Sequence, residues 1–322
     1  MPTLSITVQV YQTIRQVAKS NVRVLITGET GTGKELCANA IHQNSQRHKK
    51  PYLICATIPH HLLESELFGH IKGAFTGANK NKQGIASIAN GGTLFLDEIG
   101  ELDFELQSKL LRFMENGTFY KVGSHQPTSV DIRFIAATNR DLQAEIQARR
   151  FRSELYHRLK TVVINLPPLR QRGQDVLLLA QHFLGQYAQQ EQKHFKHFRP
   201  EAELLLLAFE WPGNVRQLQN VIHSLVVLNE GEIITAEMVL AALKEEPHEH
   251  KNTPTGSSLQ SPVSAQANGS SSPQKPRPLR LVEKEAIEQA VDYYNGNVEK
   301  AAESLEISRG TVYNKSNKWK KQ

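Results

Sequence analysis

At 322 residues the chain is longer than a typical single domain, so two or three folded units are expected. A hydrophobic content of 39% with 22% charged residues excludes wholesale disorder, and the longest apolar run, Leu204 to Phe209, is too short to span a bilayer. The net charge of +6 leans toward phosphate-bearing partners without specifying one, and two cysteines, Cys37 and Cys55, exclude a disulfide scaffold.

Neither cysteine belongs to a CxxC pair or a zinc spacing, so both are expected to be buried thiols in a reducing compartment. The opening MPTLSITVQV lacks the basic and apolar regions of a secretory signal. A cytoplasmic location with no membrane partner is therefore expected. His60-His61, His194/His197 and His248/His250 lack converging acidic or thiol partners, so they are read as solvated.

In chain order, a β-branched run from Val22 to Thr27 predicts a buried strand, and Lys34 to His42 has the apolar spacing of a helix. Further strands are predicted at Thr93 to Leu96, after Gly91-Gly92, and at Ile132 to Ala137. Buried strands alternating with helices describe an α/β fold with a doubly wound parallel sheet. After Pro167-Pro168 the pattern turns to helices only, at Val176 to Gln190, Glu201 to Phe209, Val215 to Leu228 and Ala236 to Lys244, a small helical lid. Residues 246–280, rich in Ser, Pro, Gln, Asn and Gly, read as a disordered linker. Beyond it, Ile287, Ala290, Val291 and Tyr294 share one helical face. Asn295-Gly296-Asn297 then turns the chain into a helix from Val298 to Leu305, a turn at Glu306 to Ser308 and a second helix from Arg309 to Trp319.

The first strand-to-helix junction, Gly28-Glu29-Thr30-Gly31-Thr32-Gly33-Lys34-Glu35, matches a P-loop. Its glycines let backbone N–H groups wrap phosphate oxygens, and Lys34 is placed to reach the β and γ phosphates. Glu35 stands where Ser or Thr usually helps hold magnesium, so the ion must lean on water and other ligands. Asp97-Glu98, at the end of the second predicted strand, supplies them: Asp97 as the Mg2+ ligand, Glu98 as the group that polarises the attacking water. Together these features specify NTP hydrolysis with Mg2+.

Glu66-Leu-Phe-Gly69-His-Ile-Lys followed by Gly73-Ala74-Phe75-Thr76-Gly77-Ala78 resembles the signature loop of sigma-54-dependent activators, the NtrC-like enhancer-binding proteins. The resemblance covers nearly the whole chain. It implies an AAA+ α/β ATPase core over residues 1–170, a helical lid over 171–245, the linker over 246–280 and an all-α Fis-type helix-turn-helix domain over 281–322. It further implies that Gly73 to Ala78 engage the sigma-54 RNA polymerase holoenzyme and that ATP hydrolysis remodels the closed promoter complex. By the same resemblance Asn139 is a sensor of the γ-phosphate, with the capping of a helix as the lesser alternative. Arg152 and Arg158 resemble arginine fingers acting in trans, although lone arginines more often form surface ion pairs. Arg216, in Trp211-Pro-Gly-Asn-Val-Arg216, resembles the second sensor. The trans fingers imply a homo-oligomeric ring, a hexamer by analogy, or a hetero-oligomer with a paralogue.

In the C-terminal module Ser308 is a candidate N-cap, and Arg309, Lys315 and Lys318 suit phosphate contact with enhancer DNA. Thr311, Tyr313 and Asn314 are placed to meet bases or backbone. Asn314 and Ser316 depart from the basic and apolar residues of the family.

Two departures lie closer to the chemistry. Ile54 replaces the family's Asn before Cys55-Ala56, which holds the catalytic Glu in check, and Ile71 stands where Glu is common. The chain also begins almost at the ATPase core. Either regulation comes from elsewhere than an N-terminal receiver domain, or the sequence is incomplete. Two other readings remain at this point: a hydrolysis-poor DNA-binding regulator that co-assembles with an active paralogue, and an AAA+ DNA remodeller, which has no use for the GAFTGA loop.

Overall fold

The computed structural model describes residues 6–55 and 60–245, together with Tyr294 and Lys300. The linker expected over 246–280 lies outside the described residues, as do Arg309, Thr311, Tyr313, Asn314, Lys315 and Lys318 of the expected helix-turn-helix.

Helix α1 (Ile6–Ala18) precedes strand β1 (Val24–Thr27), helix α2 (Lys34–Gln43) and strand β2 (Tyr52–Cys55). Helix α3 (His60–Phe68) leads into the short antiparallel pair β3 (Gly69–His70) and β4 (Lys82–Gln83), followed by α4 (Ile85–Ile88) and β5 (Thr93–Leu96). Helix α5 (Phe104–Asn116) is followed by a hairpin of β6 (Thr118–Tyr120) and β7 (Pro127–Ser129). Then come β8 (Arg133–Thr138), α6 (Leu142–Gln147), α7 (Ser153–Leu159) and β9 (Val162–Asn165). The remaining elements are α8 (Asp175–Gln190), β10 (His197–Phe198), α9 (Pro200–Ala208), α10 (Asn214–Leu228), β11 (Ile233–Ile234) and α11 (Ala236–Glu245).

The main sheet is parallel throughout, in the order β2-β5-β8-β1-β9. Alternation along its strands divides the core. Leu25, Leu94, Leu96, Phe134 and Ala136 face α3, α5 and α7, packing on Leu63, Leu67, Leu110, Phe113, Leu155 and Leu159. Val24, Ile26, Phe95, Ile135, Ala137 and Ile164 face the opposite way, onto Ile14 and Val17 of α1 and Cys37, Ala38 and Ile41 of α2. Covering both faces is what a parallel sheet requires, and it places every strand's C-terminal end at one rim.

The strand predicted at Thr93 to Leu96 has those bounds. The first strand starts at Val24 rather than Val22, and the third is shifted by one residue. Strands β2 and β9 and helix α1 add to the expected elements. In the lid, β10 and β11 pair in parallel, so the region is not made of helices only. Cys37 and Cys55 are buried, and burial pushes their thiols up, to about 12 and about 11 respectively. His194 and His197 are exposed as expected, whereas His42 is fully buried, its Nδ1 lying 3.0 Å from Thr93 Oγ1.

Arg133 is a buried cation in the central strand β8. It donates to Val17 O at 2.9 Å and Ala18 O at 3.2 Å, the carbonyls ending α1, so the negative end of a helix compensates the charge in place of a carboxylate. Burial holds its guanidinium down to about 10, with Arg47 adding to the shift. The lid has its own apolar cluster, running from Leu169 to Leu243 around Trp211, whose indole N–H donates to Leu206 O at 2.8 Å. No described helix is long and apolar enough to cross a membrane.

Candidate functional site

The P-loop spans the rim between β1 and α2. Gly31 and Gly33 hold positive φ angles of 79° and 96°, and Gly33 sits at the N-cap of α2 in the left-handed conformation. At Gly31 glycine is also required by space, because an added Cβ would come within 2.2 Å of Gly213 O in the lid. Lys34 is buried, and its Nζ donates to Gly28 O at 3.1 Å and Glu29 O at 3.4 Å while standing 3.5 Å from Glu98 Oε1. The ammonium is thus held by two loop carbonyls and a nearby carboxylate at the mouth of the loop, where phosphate oxygens would compete for it.

Asp97 and Glu98 follow β5 at the same rim. Burial pushes the Asp97 carboxyl up, opposed by the Glu98 N–H and by the Lys34 charge; Glu98 N donates to Asp97 Oδ1 at 3.0 Å. A desolvated carboxylate gains from a cation, which suits the Mg2+ role. Among the described residues no cluster of three acidic, histidine or cysteine side chains could hold a metal, so an ion at Asp97 needs phosphate oxygens and water as further ligands. Glu98 adopts a left-handed φ of 49°, uncommon for a residue with a side chain, and its Oε2 accepts from Asn139 N at 3.2 Å.

Asn139 follows β8, and its Nδ2 donates to Thr30 Oγ1 at 2.9 Å, tying the third strand end to the P-loop. It does not cap a helix. That position belongs to Asp141, whose Oδ1 accepts from Gln143 N at 2.9 Å and Ala144 N at 3.3 Å. Thr32 is buried with its hydroxyl on Glu29 O at 2.7 Å, and Glu35 is exposed. Arg216 opens its helix against the P-loop, its N–H 3.4 Å from Gly31 O, and its charge bears on Asp97.

The lid grips the P-loop through residues that the motif reading passed over. Asn214, fully buried at φ 53°, donates through Nδ2 to Glu29 Oε2 at 3.1 Å and Thr30 O at 3.0 Å, and accepts from Leu169 N at 2.8 Å. Arg170 makes a two-pronged ion pair with Glu29, at 2.9 Å and 2.6 Å. Arg172 donates to Thr32 O at 2.8 Å. Asn214 lies within the Trp211-to-Arg216 segment, so the segment was visible in the sequence and the residue's role was not. Asn214→Ala is expected to cost about 2–4 kcal/mol, from one orphaned buried N–H and a left-handed alanine. It is also expected to weaken nucleotide binding. Chemical denaturation and nucleotide titration measure the two; an unchanged midpoint would show that the three bonds carry no net weight.

Among the described residues no contact brings Arg152 or Arg158 to the P-loop. The Arg152 guanidinium lies 4.0 Å from the centre of the Phe104 ring, its Nε 3.3 Å from Phe104 O, and its backbone N–H donates to the buried Gln107 Oε1 at 2.8 Å. Arg158 is half-buried, with its Nε lacking a hydrogen-bond partner. Neither forms an ion pair among the described residues. Ile54 is 37% exposed on the edge strand β2 and brings no polar atom to Glu98.

Among the described residues no hydrogen bond, ion pair or ring contact joins the loop of Gly73, Ala74, Phe75, Thr76, Gly77 and Ala78 to the P-loop. Gly73 N donates to Ala78 O at 2.9 Å and Ala78 N to Phe75 O at 3.0 Å, closing a tight turn flanked by positive φ at Gly73 and Gly77. Phe75 at its tip is 41% exposed. A Cβ added at Gly123, between β6 and β7, would meet Ala74 at 2.8 Å and Ile71 at 3.2 Å, and Ile71 N donates to Val122 O at 3.1 Å, so the base of the loop approaches the hairpin closely and is joined to it through the backbone.

Residues 4–165 match the sigma-54 interaction domain, 170–255 the AAA+ ATPase lid domain, and 278–319 the Fis family of bacterial regulatory proteins. The chain is 49% identical over 313 residues to the regulatory protein LuxO of Vibrio parahaemolyticus, covering 97% of the chain and 67% of the relative. It is 46% identical over 301 residues to the transcriptional regulatory protein ZraR of Escherichia coli, covering 93% and 64% respectively. The crystal structure of NtrX from Brucella abortus in complex with ATP is similar with a TM-score of 0.66 at 31% identity, over 98% of this chain and 68% of that one.

Proposed function

Because the chain belongs to the sigma-54 interaction domain family, and is thus a sigma-54-dependent transcription activator with an AAA+ ATPase, we propose the following division of labour among its residues. Gly28 to Lys34 bind the phosphates, Asp97 holds Mg2+ with exposed Glu35 outside its shell, and Glu98 polarises the attacking water. Asn139 and Arg216 sense the nucleotide from the sheet and the lid. Arg152 and Arg158 complete the site of a neighbouring subunit in a cytoplasmic ring. Gly73 to Ala78 press on sigma-54, and the C-terminal module, through Arg309, Lys315 and Lys318 with Thr311, Tyr313 and Asn314, docks on enhancer DNA.

The observation that carries this reading is the position of Glu98. Its carboxylate is joined to Lys34 and to the Asn139 N–H, so the side chain is anchored although Ile54 offers no amide. That favours an active motor over the hydrolysis-poor regulator.

The trans role gives the test. Arg152→Ala is expected to lower ATP turnover by roughly a thousandfold, the scale of an arginine finger, while binding nucleotide nearly as the parent does. Mixing it with Lys34→Ala subunits, which keep both fingers, is expected to restore part of the turnover as subunit concentration rises. No restoration at any ratio would refute action across an interface, and full turnover by Arg152→Ala alone would refute the finger.

A further inference from the structure

An exposed aromatic at the tip of a glycine-flanked turn is costly to use, because the partner must fix it in place on binding. Phe75 has one ring partner among the described residues. The His70 imidazole meets it edge to face, with centroids 5.0 Å apart and planes at 70°. His70 is itself held from three sides. It pairs with Lys82 in the β3–β4 ladder, bridges to Val122, and its Nδ1 shares a 2.7 Å hydrogen bond with Ser65 Oγ, a buried hydroxyl on α3. The ring at the base of the loop is therefore anchored and the ring at the tip is not.

We propose that His70 is the positioning residue of Phe75, its anchored ring holding the tip aromatic in the orientation that sigma-54 receives. The proposal rests on the reading of Phe75 as the sigma-54 contact. A tie serving only to join α3 to β3 would need the hydrogen bond and not the ring, so the two roles separate by substitution. His70→Asn keeps a hydrogen-bonding atom close to the place of Nδ1 and removes the ring; His70→Phe keeps a ring and removes the bond.

The experiment measures binding of fluorescent sigma-54 to the full chain with ADP and aluminium fluoride, and the melting midpoint of each variant. His70→Asn is expected to bind sigma-54 roughly 2- to 12-fold more weakly than the parent, the equilibrium equivalent of an edge-to-face contact, while His70→Phe stays within about twofold. On a Phe75→Ala background the two substitutions are expected to be indistinguishable. Equal binding by His70→Asn and His70→Phe, or a weaker His70→Phe, overturns the positioning role while leaving Phe75 as the contact. Parental binding by Phe75→Ala alone overturns the reading of the loop itself. If His70→Asn melts early, His70→Phe decides, since loss of binding by a folded chain that keeps the ring contradicts the proposal.

Discussion

Lys34→Ala is expected to abolish useful nucleotide binding, and Glu98→Gln to leave binding intact while stopping hydrolysis. The Lys34 ammonium is buried and donates to two P-loop carbonyls, bonds that phosphate oxygens are expected to replace on binding. Removing a charge-assisted bond of this kind costs about 3 kcal/mol, near a 100-fold loss in affinity. Glu98 makes no such contribution to the ground state. Gln keeps an oxygen for the Asn139 N–H at 3.2 Å and loses the negative charge, which both pairs with Lys34 at 3.5 Å and polarises water; the Lys34 ammonium stays free to meet phosphate oxygens, so binding is kept while turnover falls roughly 100- to 10,000-fold. Titration with a fluorescent nucleotide and phosphate release read the two effects. Comparable loss of binding in both variants would mean that Glu98 shapes the pocket and does not act on water.

The parts of the molecule legible in the sequence are those whose chemistry is local. Thr93 to Leu96 is wholly buried between a glycine pair and an acidic pair, so its ends are marked by neighbouring residues. The P-loop glycines announce a backbone that few other residues tolerate, and Gly31 and Gly33 do hold positive φ. Strands β2 and β9 were harder to see. They are the sheet's two edges, four residues each with partly exposed side chains; Val162–Asn165 is as apolar in sequence as the central strand Val24–Thr27, so its edge position and exposure are set by the packed sheet and not by its composition. Helix α1 left a signal, Ile14, Val17 and Ala18 on one buried face, that was open to reading.

The lid contacts were not legible, for a different reason. Arg170 and Arg172 read as ordinary surface charge in Pro-Leu-Arg-Gln-Arg, yet their partners Glu29 and Thr32 lie about 140 residues earlier in the chain. Asn214 required both a left-handed backbone and a carboxylate from another layer of the fold before it had a role. The capping alternative for Asn139 is removed by a neighbour, since Asp141 takes the cap and the Asn139 amide reaches Thr30 instead. Pairing across distant segments is a property of the packed sheet and lid, and no single stretch of sequence carries it.

Phe75→Ala is expected to stay folded and hydrolyse ATP near the parental rate while failing to open sigma-54-dependent promoters. The turn around it is closed by the backbone bonds Gly73 N to Ala78 O and Ala78 N to Phe75 O, which do not depend on the side chain. With 41% of the residue exposed and one ring contact at His70, truncation is expected to cost under about 1 kcal/mol, against about 3–5 for a buried aromatic. No contact joins the ring to Lys34, Asp97 or Glu98, so the chemical step is expected to survive. Sigma-54 binding behaves differently. An aromatic anchor at an interface commonly carries about 2 kcal/mol or more, near a 30-fold loss in affinity on truncation, and a motor that cannot grip its substrate does no work on it. Thermal melting, ATP turnover, sigma-54 binding and promoter opening measured on one preparation separate the possibilities. A sharply lowered melting midpoint would make Phe75 a structural residue, and undiminished promoter opening would move the sigma-54 contact elsewhere on the subunit.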